Sequence, residues 1–417
     1  MDSFTDLYKK VVKASVDNNL DAEIADLNDG TDSVEHHLDC LLSPGKQPTV
    51  MRLADCDCSD EEKTACIESC MFDAMEKDEN GNIIISDENC VGCAECIKHC
   101  RLGCLTDRKE IVPIFDLLNN SPVPVYAMIA PAYISQFSTE VSPGKLRAAF
   151  KALGFAGMIE VALFADILTL KEALEFDISI QDDKDFMLTS CCCPMWIAMI
   201  RKVYNQLVPH LPPSVSPMAA CGRSIKKLHP DVKTVFIGPC IAKKAESKEA
   251  DIKEDVDYVL TFHEMKDIFE AAEIDPKSYD EDLRAHSSTA GRVYARTGGV
   301  SEAVQNTVIR LRPDKKIPLR ARQADGVREC KAMLNDVING DIVANFLEGM
   351  GCVGGCVGGP KILIDKESAK DYVNEYGNQA EYNTPVDNPY VIELLKRLGF
   401  DTIESLLKGN NMFTRKF

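Results

Sequence analysis

Between about residues 120 and 360, short apolar runs alternate with amphipathic stretches. VPVYAMIAP precedes a helical pattern from about Pro143 to Leu153, and MIEVALF precedes one from about Asp166 to Glu175. DFMLTS leads into WIAMIRKVYNQL, and KTVFIGP leads into a loop. Apolar runs of strand length followed by period-3.6 stretches predict strand–helix units. Their repetition predicts an α/β fold with largely parallel sheets flanked by helices. Cysteines follow the runs at 186–190 and 234–238, and ligands commonly sit beyond the carboxyl ends of parallel strands. Residues 1–50 predict an acidic helical segment, with Leu7, Val11, Val12 and Ala14 on one face, then a loop. Residues 366–417 predict a charged helical tail without evident chemistry. Residues 51–115 differ, with few apolar runs. The stretch Asn82–Ser86, after Glu79-Asn80-Gly81, predicts a hairpin strand.

Cysteine changes the picture most. The chain has 417 residues and 18 cysteines, nine of them in the apolar-poor stretch. Too little core is present there for folding without staples. The N-terminus MDSFTDLYKK lacks the layout of a signal peptide, and no run is long enough to cross a membrane. A cytoplasmic location is therefore expected, where thiols stay reduced and ligation is the better reading. The formal charge of -19 argues against nucleic acid and anionic membranes as partners. Basic exceptions are Lys98, His99, Arg101, Arg108 and Lys109, and a stretch from Arg310 to Arg322. Either could dock an acidic protein; a solvated face is the plainer reading of the second. Cys40 and Cys104 are expected as buried thiols rather than ligands.

Cys90-x2-Cys93-x2-Cys96-x3-Cys100 has the spacing of a bacterial-type [4Fe–4S] motif, whose fourth cysteine serves a neighbouring cluster. Zinc ribbons use two separated pairs instead. Cys66-x3-Cys70 repeats the end of the motif, while Cys56-x-Cys58-x7-Cys66 departs from it. Two clusters are expected, one on Cys56, Cys58, Cys66 and Cys100, the other on Cys70, Cys90, Cys93 and Cys96. Such a module carries electrons one at a time.

Three further motifs are TSCCCPMW at 189–196, GPCIAKKAE at 238–246 and GCVGGCVGGP at 351–360. Cys193, Cys240, Cys352 and Cys356 could supply four thiolates to another cubane. Glycines let backbone approach an inorganic group, and Lys243 adds charge and donors. Together these segments resemble the signatures of [FeFe]-hydrogenases, over roughly residues 50–360, in particular the group B branch.

The resemblance implies a ferredoxin-like 2[4Fe–4S] domain at 51–115 and a two-lobed catalytic domain at 116–365. It implies the H-cluster: a [4Fe–4S] cubane joined to a two-iron subsite with CO, cyanide and azadithiolate. Cys193, Cys240, Cys352 and Cys356 match the cubane ligands, with Cys356 as the bridge. Lys243 matches a cyanide-binding lysine and Cys192 a proton relay. Ala130, Pro131, Pro239 and Met350 match residues of the cofactor pocket. Glu172 and Glu175 match two glutamates of the proton route, and their plainer reading is a solvated helix face. The serine of that route falls where this chain has Leu211-Pro212-Pro213-Ser214. The extra cysteine leaves two registers, Cys191 or Cys192, for the relay; alignment from Pro194-Met195-Trp196 favours Cys192. Met195 replaces glycine, Gly238 replaces methionine and Gly351 replaces alanine.

The resemblance thus implies a ferredoxin-dependent enzyme of hydrogen metabolism interconverting H2 with two protons and two electrons, and requiring hydrogenase maturation proteins. Two alternatives are a hydrogen-sensing relative and a non-catalytic iron–sulfur assembly protein. The first class carries an added signalling domain, for which the tail is short. The second would be expected to lose Lys243 or the relay cysteine.

Overall fold

The computed structural model describes every residue except 1–2, 29, 190–191, 283 and 409–411. Its eleven strands are β1 (Val50–Arg52), β2 (Met75–Lys77), β3 (Ile83–Ile85), β4 (Leu105–Asp107), β5 (Val125–Ile129), β6 (Gly157–Glu160), β7 (Met187–Leu188), β8 (Lys233–Gly238), β9 (Tyr258–Thr261), β10 (Ala321–Asp325) and β11 (Phe346–Met350). Two parallel sheets, ordered β6-β5-β8-β9 and β10-β11-β7, form the lobes of the catalytic region. The expected α/β architecture is the one observed.

The helix Ala162–Ser179 is buried on all sides over most of its length. Its start differs from expectation: MIEVALF is not one strand, because β6 ends at Glu160 and Ala162 already begins this helix. Its first turn, Ala162–Ala165, is wholly apolar, and an apolar run of that length cannot be told from a buried strand by periodicity.

The N-terminal segment forms helices Phe4–Val16, Leu20–Leu27 and Asp32–Leu42. Ser3 and Asp6 close a capping box on the first, satisfying backbone donors that have no intrahelical partner. Leu7, Val11, Leu38 and Leu41 pack into the core of the β5 sheet, as do Ala369, Val373, Val391, Leu395 and Phe413 from the tail. Both chain ends therefore build the main core.

In the cysteine-rich stretch, β1 pairs antiparallel with β4, and β2 with β3. One small apolar cluster of Val50, Met75, Ile83 and Leu105 has six cysteines packed around it. A cluster of this size offsets little of the backbone entropy of the stretch.

Candidate functional site

The strands place the motifs. Ala130 and Pro131 follow β5, Cys193 follows β7, Cys240 follows β8, and Cys352 with Cys356 follow β11. All six residues lie beyond carboxyl ends of parallel strands, so segments far apart in sequence meet at one edge.

Cys193, Cys240, Cys352 and Cys356 face one another in a buried pocket. Burial pushes the Cys193 thiol up to about 12, and the neighbouring Cys192 and Cys240 add to the effect. Burial also raises Cys352 and Cys356 well above the ordinary thiol value, and each feels the charges of Cys193 and Cys240. Four desolvated thiols this close cannot all ionise alone. A cationic iron core in place of the protons resolves that conflict, and thiolate is a preferred donor for iron–sulfur groups. The donor set therefore fits a cubane. The Gly351 backbone N–H donates to Cys193 Sγ at 3.2 Å, the type of contact that tunes a ligating sulfur.

Met350, at the end of β11, is buried, and its Sδ lies 4.0 Å from Cys192 Sγ. Cys191, the other relay candidate, lies outside the described residues. Lys243 is buried and donates to Glu246 Oε2 at 2.6 Å. Burial would strip its charge, but Glu246 and the thiolates of Cys240 and Cys356 outweigh that and keep it protonated. A lysine has three N–H donors, so two remain for an anionic ligand of the pocket. Ala130 accepts no room for a larger neighbour: a Cβ on Gly238 would come within 3.0 Å of the Ala130 Cβ and 2.8 Å of the Phe236 ring. Phe236 thus fills space that methionine would need at 238. Pro239 O accepts from the Lys361 backbone at 3.1 Å, pinning the glycine-rich loop to the Cys240 loop.

The other cysteines fall into two groups. Cys66 interacts electrostatically with Cys100, Cys56 and Cys58, and all four line one surface pocket. Cys70, Cys90, Cys93 and Cys96 line a second, more interior pocket. Burial raises Cys90 to about 11 and Cys96 to about 12. Cys70 and Cys93 share an apolar cluster of Phe72, Val91, Met195 and Ala242 with Cys193 and Cys240. Gly92 makes this approach possible. At φ +69°, an added Cβ would sit 3.0 Å from the Ala242 Cα and the Ile241 carbonyl. Cys40 and Cys104 are buried as expected.

Glu172 and Glu175 are both buried, so the solvated-face reading does not hold. Burial raises Glu175, while Lys171 and Ser214 pull it back. Ser214 Oγ donates to Glu175 Oε2 at 3.4 Å, so the serine of the Pro212-Pro213-Ser214 segment does reach the glutamate.

One expectation about the basic patches is corrected, and the plainer reading of the second, a solvated face, holds. Arg108 and Lys109 are not surface groups: Arg108 is buried against Glu110, and Lys109 pairs with the buried Asp107. Lys98 pairs with Glu95 at 2.6 Å and Arg101 with Glu62, so their charge is spent within the chain. In the second stretch, Arg310 pairs with Asp387, Arg312 and Lys315 with Asp177, Arg320 with Asp183 and Arg322 with Asp336.

Several residues near the site escaped the sequence reading. The buried Cys330 thiol donates to Met350 O at 3.4 Å. Arg415, in the tail, lines a small cavity with Cys192, Cys193, Ser216, Glu246 and Glu249. Salt bridges of 2.6 Å to Glu249 and 2.9 Å to Asp251 hold it there. No spacing rule connects residue 415 to residue 192. Lys171 did carry a signal, as a charge amid an apolar run.

The family described as "Iron only hydrogenase large subunit, C-terminal domain" matches residues 123–360. The chain belongs to this family. Among relatives, "NADP-reducing hydrogenase subunit HndD" of Solidesulfovibrio fructosivorans is 24% identical over 377 residues, covering 75% of this chain and 63% of that protein. The chain thus spans less than two thirds of that relative's length. "Cytosolic Fe-S cluster assembly factor NAR1" of Yarrowia lipolytica is 29% identical over 216 residues, covering 44% and 42%. The solved [FeFe]-hydrogenase HydA1 from Chlamydomonas reinhardtii shares the fold, with TM-score 0.57 at 20% identity over 72% of this chain and 95% of that one. Proteins similar to this chain thus include some named as hydrogenases and some named as assembly factors. No described helix is long and apolar enough to cross a membrane.

Proposed function

We propose that this protein is an [FeFe]-hydrogenase, interconverting H2 with two protons and two electrons at an H-cluster held by Cys193, Cys240, Cys352 and Cys356. The carrying observation is Cys192 Sγ: it belongs to no group of four, yet lies at the pocket's edge against Met350 Sδ. A pure cluster carrier has no use for a non-ligating thiol there. When bound, the two-iron group supplies redox-active metal and a basic amine. Cys356 would help to hold it, and Lys243 would donate to its anionic ligands. Ala130, Pro131, Pro239 and Met350 enclose the pocket and keep water out. Cys192 exchanges protons with the pocket, and Glu172, Ser214 and Glu175 lead them towards solvent.

Cys70, Cys90, Cys93 and Cys96 hold one [4Fe–4S] cluster beside the pocket; Cys56, Cys58, Cys66 and Cys100 hold a second near the surface. Electrons enter there from a carrier of the ferredoxin class. With Lys98 and Arg101 already paired, uncharged contact around the exposed Leu102 governs docking more than a basic patch does.

A second reading, an iron–sulfur assembly protein, is favoured by the likeness to NAR1. Infrared spectra of protein matured with the two-iron group separate the two. The hydrogenase reading expects CO and CN bands and H2 turnover. Protein that fills its cubane yet shows neither would belong to the assembly class. Cys192→Ala is expected to slow H2 evolution by roughly 10²- to 10⁴-fold at unchanged iron content, the usual loss for a proton-transfer group.

A further inference from the structure

Lys171 is a charge in the middle of the most enclosed helix of the molecule, and its side chain is only 2% exposed. Burying an ammonium is costly unless its donors are satisfied. Here they meet three acceptors: the Glu175 carboxylate one turn on, Ser214 Oγ at 2.7 Å and the Pro213 carbonyl at 3.4 Å. Ser214 Oγ in turn donates to Glu175 Oε2 at 3.4 Å, closing a triangle. Outwards, Glu175 opens on a cleft lined by Lys184, Asp185 and His210. Inwards, Glu172 lies one turn back on the same helix. The paired prolines before Ser214 offer no N–H to fix the hydroxyl, so the lysine does it.

We propose that Lys171 is the positioning residue of the proton port: its ammonium locks Ser214 and Glu175 into contact and holds the Glu175 carboxylate ready to exchange protons with the cleft. One proton passes from cleft water to Glu175, and one moves on through Ser214 towards Glu172. No electron moves. Of the charges facing Glu175, Lys171 alone touches it within the buried triangle; Lys184, Asp185 and His210 line the open side. Burial favours the protonated carboxyl and Lys171 opposes it. Removing the lysine therefore moves Glu175 further up.

The role of proton port rests on the hydrogenase reading; the Lys171–Glu175 coupling does not, and the test separates them. Infrared titration of protein lacking the two-iron group reads the protonated carboxyl band, assigned to Glu175 by its loss in Glu175→Gln. In Lys171→Met the band should persist to a pH higher by about one unit or more, since one unit corresponds to about 1.4 kcal/mol of differential interaction. Lys171→Arg should restore most of the native titration. In matured protein the pH profile of H2 evolution should move the same way. An unchanged Glu175 titration in folded Lys171→Met overturns the proposal. If that variant does not fold, Lys171→Arg together with Ser214→Ala decides. Loss of the contact should then alter the titration in Ser214→Ala while Lys171→Arg stays near native, and an unaltered titration in Ser214→Ala overturns it. A shifted titration in a protein without H2 turnover would uphold the coupling and remove its role as a proton port.

Discussion

Met195 and Gly351 each depart from the common family pattern, and the structure shows them to be one change. A Cβ at 351 would sit 2.6 Å from the Met195 Cβ and 2.7 Å from its Sδ. The methionine occupies the place of the missing methyl. Gly351→Ala alone is expected to cost about 1–3 kcal/mol, the usual penalty of overpacking. Adding Met195→Gly should recover part of it, giving a favourable coupling in a double-mutant cycle read by denaturant unfolding. Additive losses would show that the two side chains do not compete. Both substitutions were legible in the sequence. Their coupling was not, because a contact across 156 positions leaves no local trace.

At the scale of elements, a buried charge network joins the cysteine-rich stretch to the catalytic strands. Asp107, at the end of β4, meets Lys244 at 3.2 Å, Lys361 at 2.7 Å and Lys109 at 3.0 Å. Lys244 also pairs with Glu264 at 2.8 Å. Lys244 belongs to the Cys240 loop and Lys361 follows the Cys356 loop, so one carboxylate ties both to the cysteine-rich stretch. Burial alone would raise Asp107, but Lys109, Lys244 and Lys361 outweigh it and hold it well below the usual carboxylate range. A depressed carboxyl contributes stability above its unfolded value, about 4. That stability is lost as pH falls through the lower folded value. Asp107→Asn should therefore cost about 3–5 kcal/mol at neutral pH, by leaving buried ammonium groups uncompensated. Its deficit should close at acid pH. Unfolding curves of both proteins across that range check this; a deficit independent of pH would place the effect in packing. The sequence showed Lys244 as the second lysine of a motif. It could not show its partners, which come from the end of β4 and from the helix Phe262–Ala271.

Across the whole molecule, apolar burial is unevenly shared. The β5 sheet gathers most of the core, including both chain ends, whereas the cysteine-rich stretch adds only small apolar clusters around Val50 and Phe72. Under the proposed function, cluster ligation supplies the difference there. Removing iron with a chelator should expose residues 51–105 to hydrogen exchange first, while the parallel sheets stay protected. Simultaneous loss of protection in both regions would show that the module does not depend on its clusters.

Spacing within one short segment determined much by itself. The cysteine runs, the glycine-rich loop and the alternation of apolar runs are local patterns set by ligand reach and backbone period. They named the α/β fold, the three groups of thiols and the family. What joins across the fold was decided only by tertiary structure. The burial of Glu172 and Glu175, the Lys171–Ser214 contact, Arg415 beside Cys192 and the pairing of each basic patch depend on which distant segment packs opposite. The cysteines around Cys193 were visible because a cluster demands thiols at fixed intervals; Lys171, Ser214 and Arg415 obey no interval, because each reaches its partners across the fold.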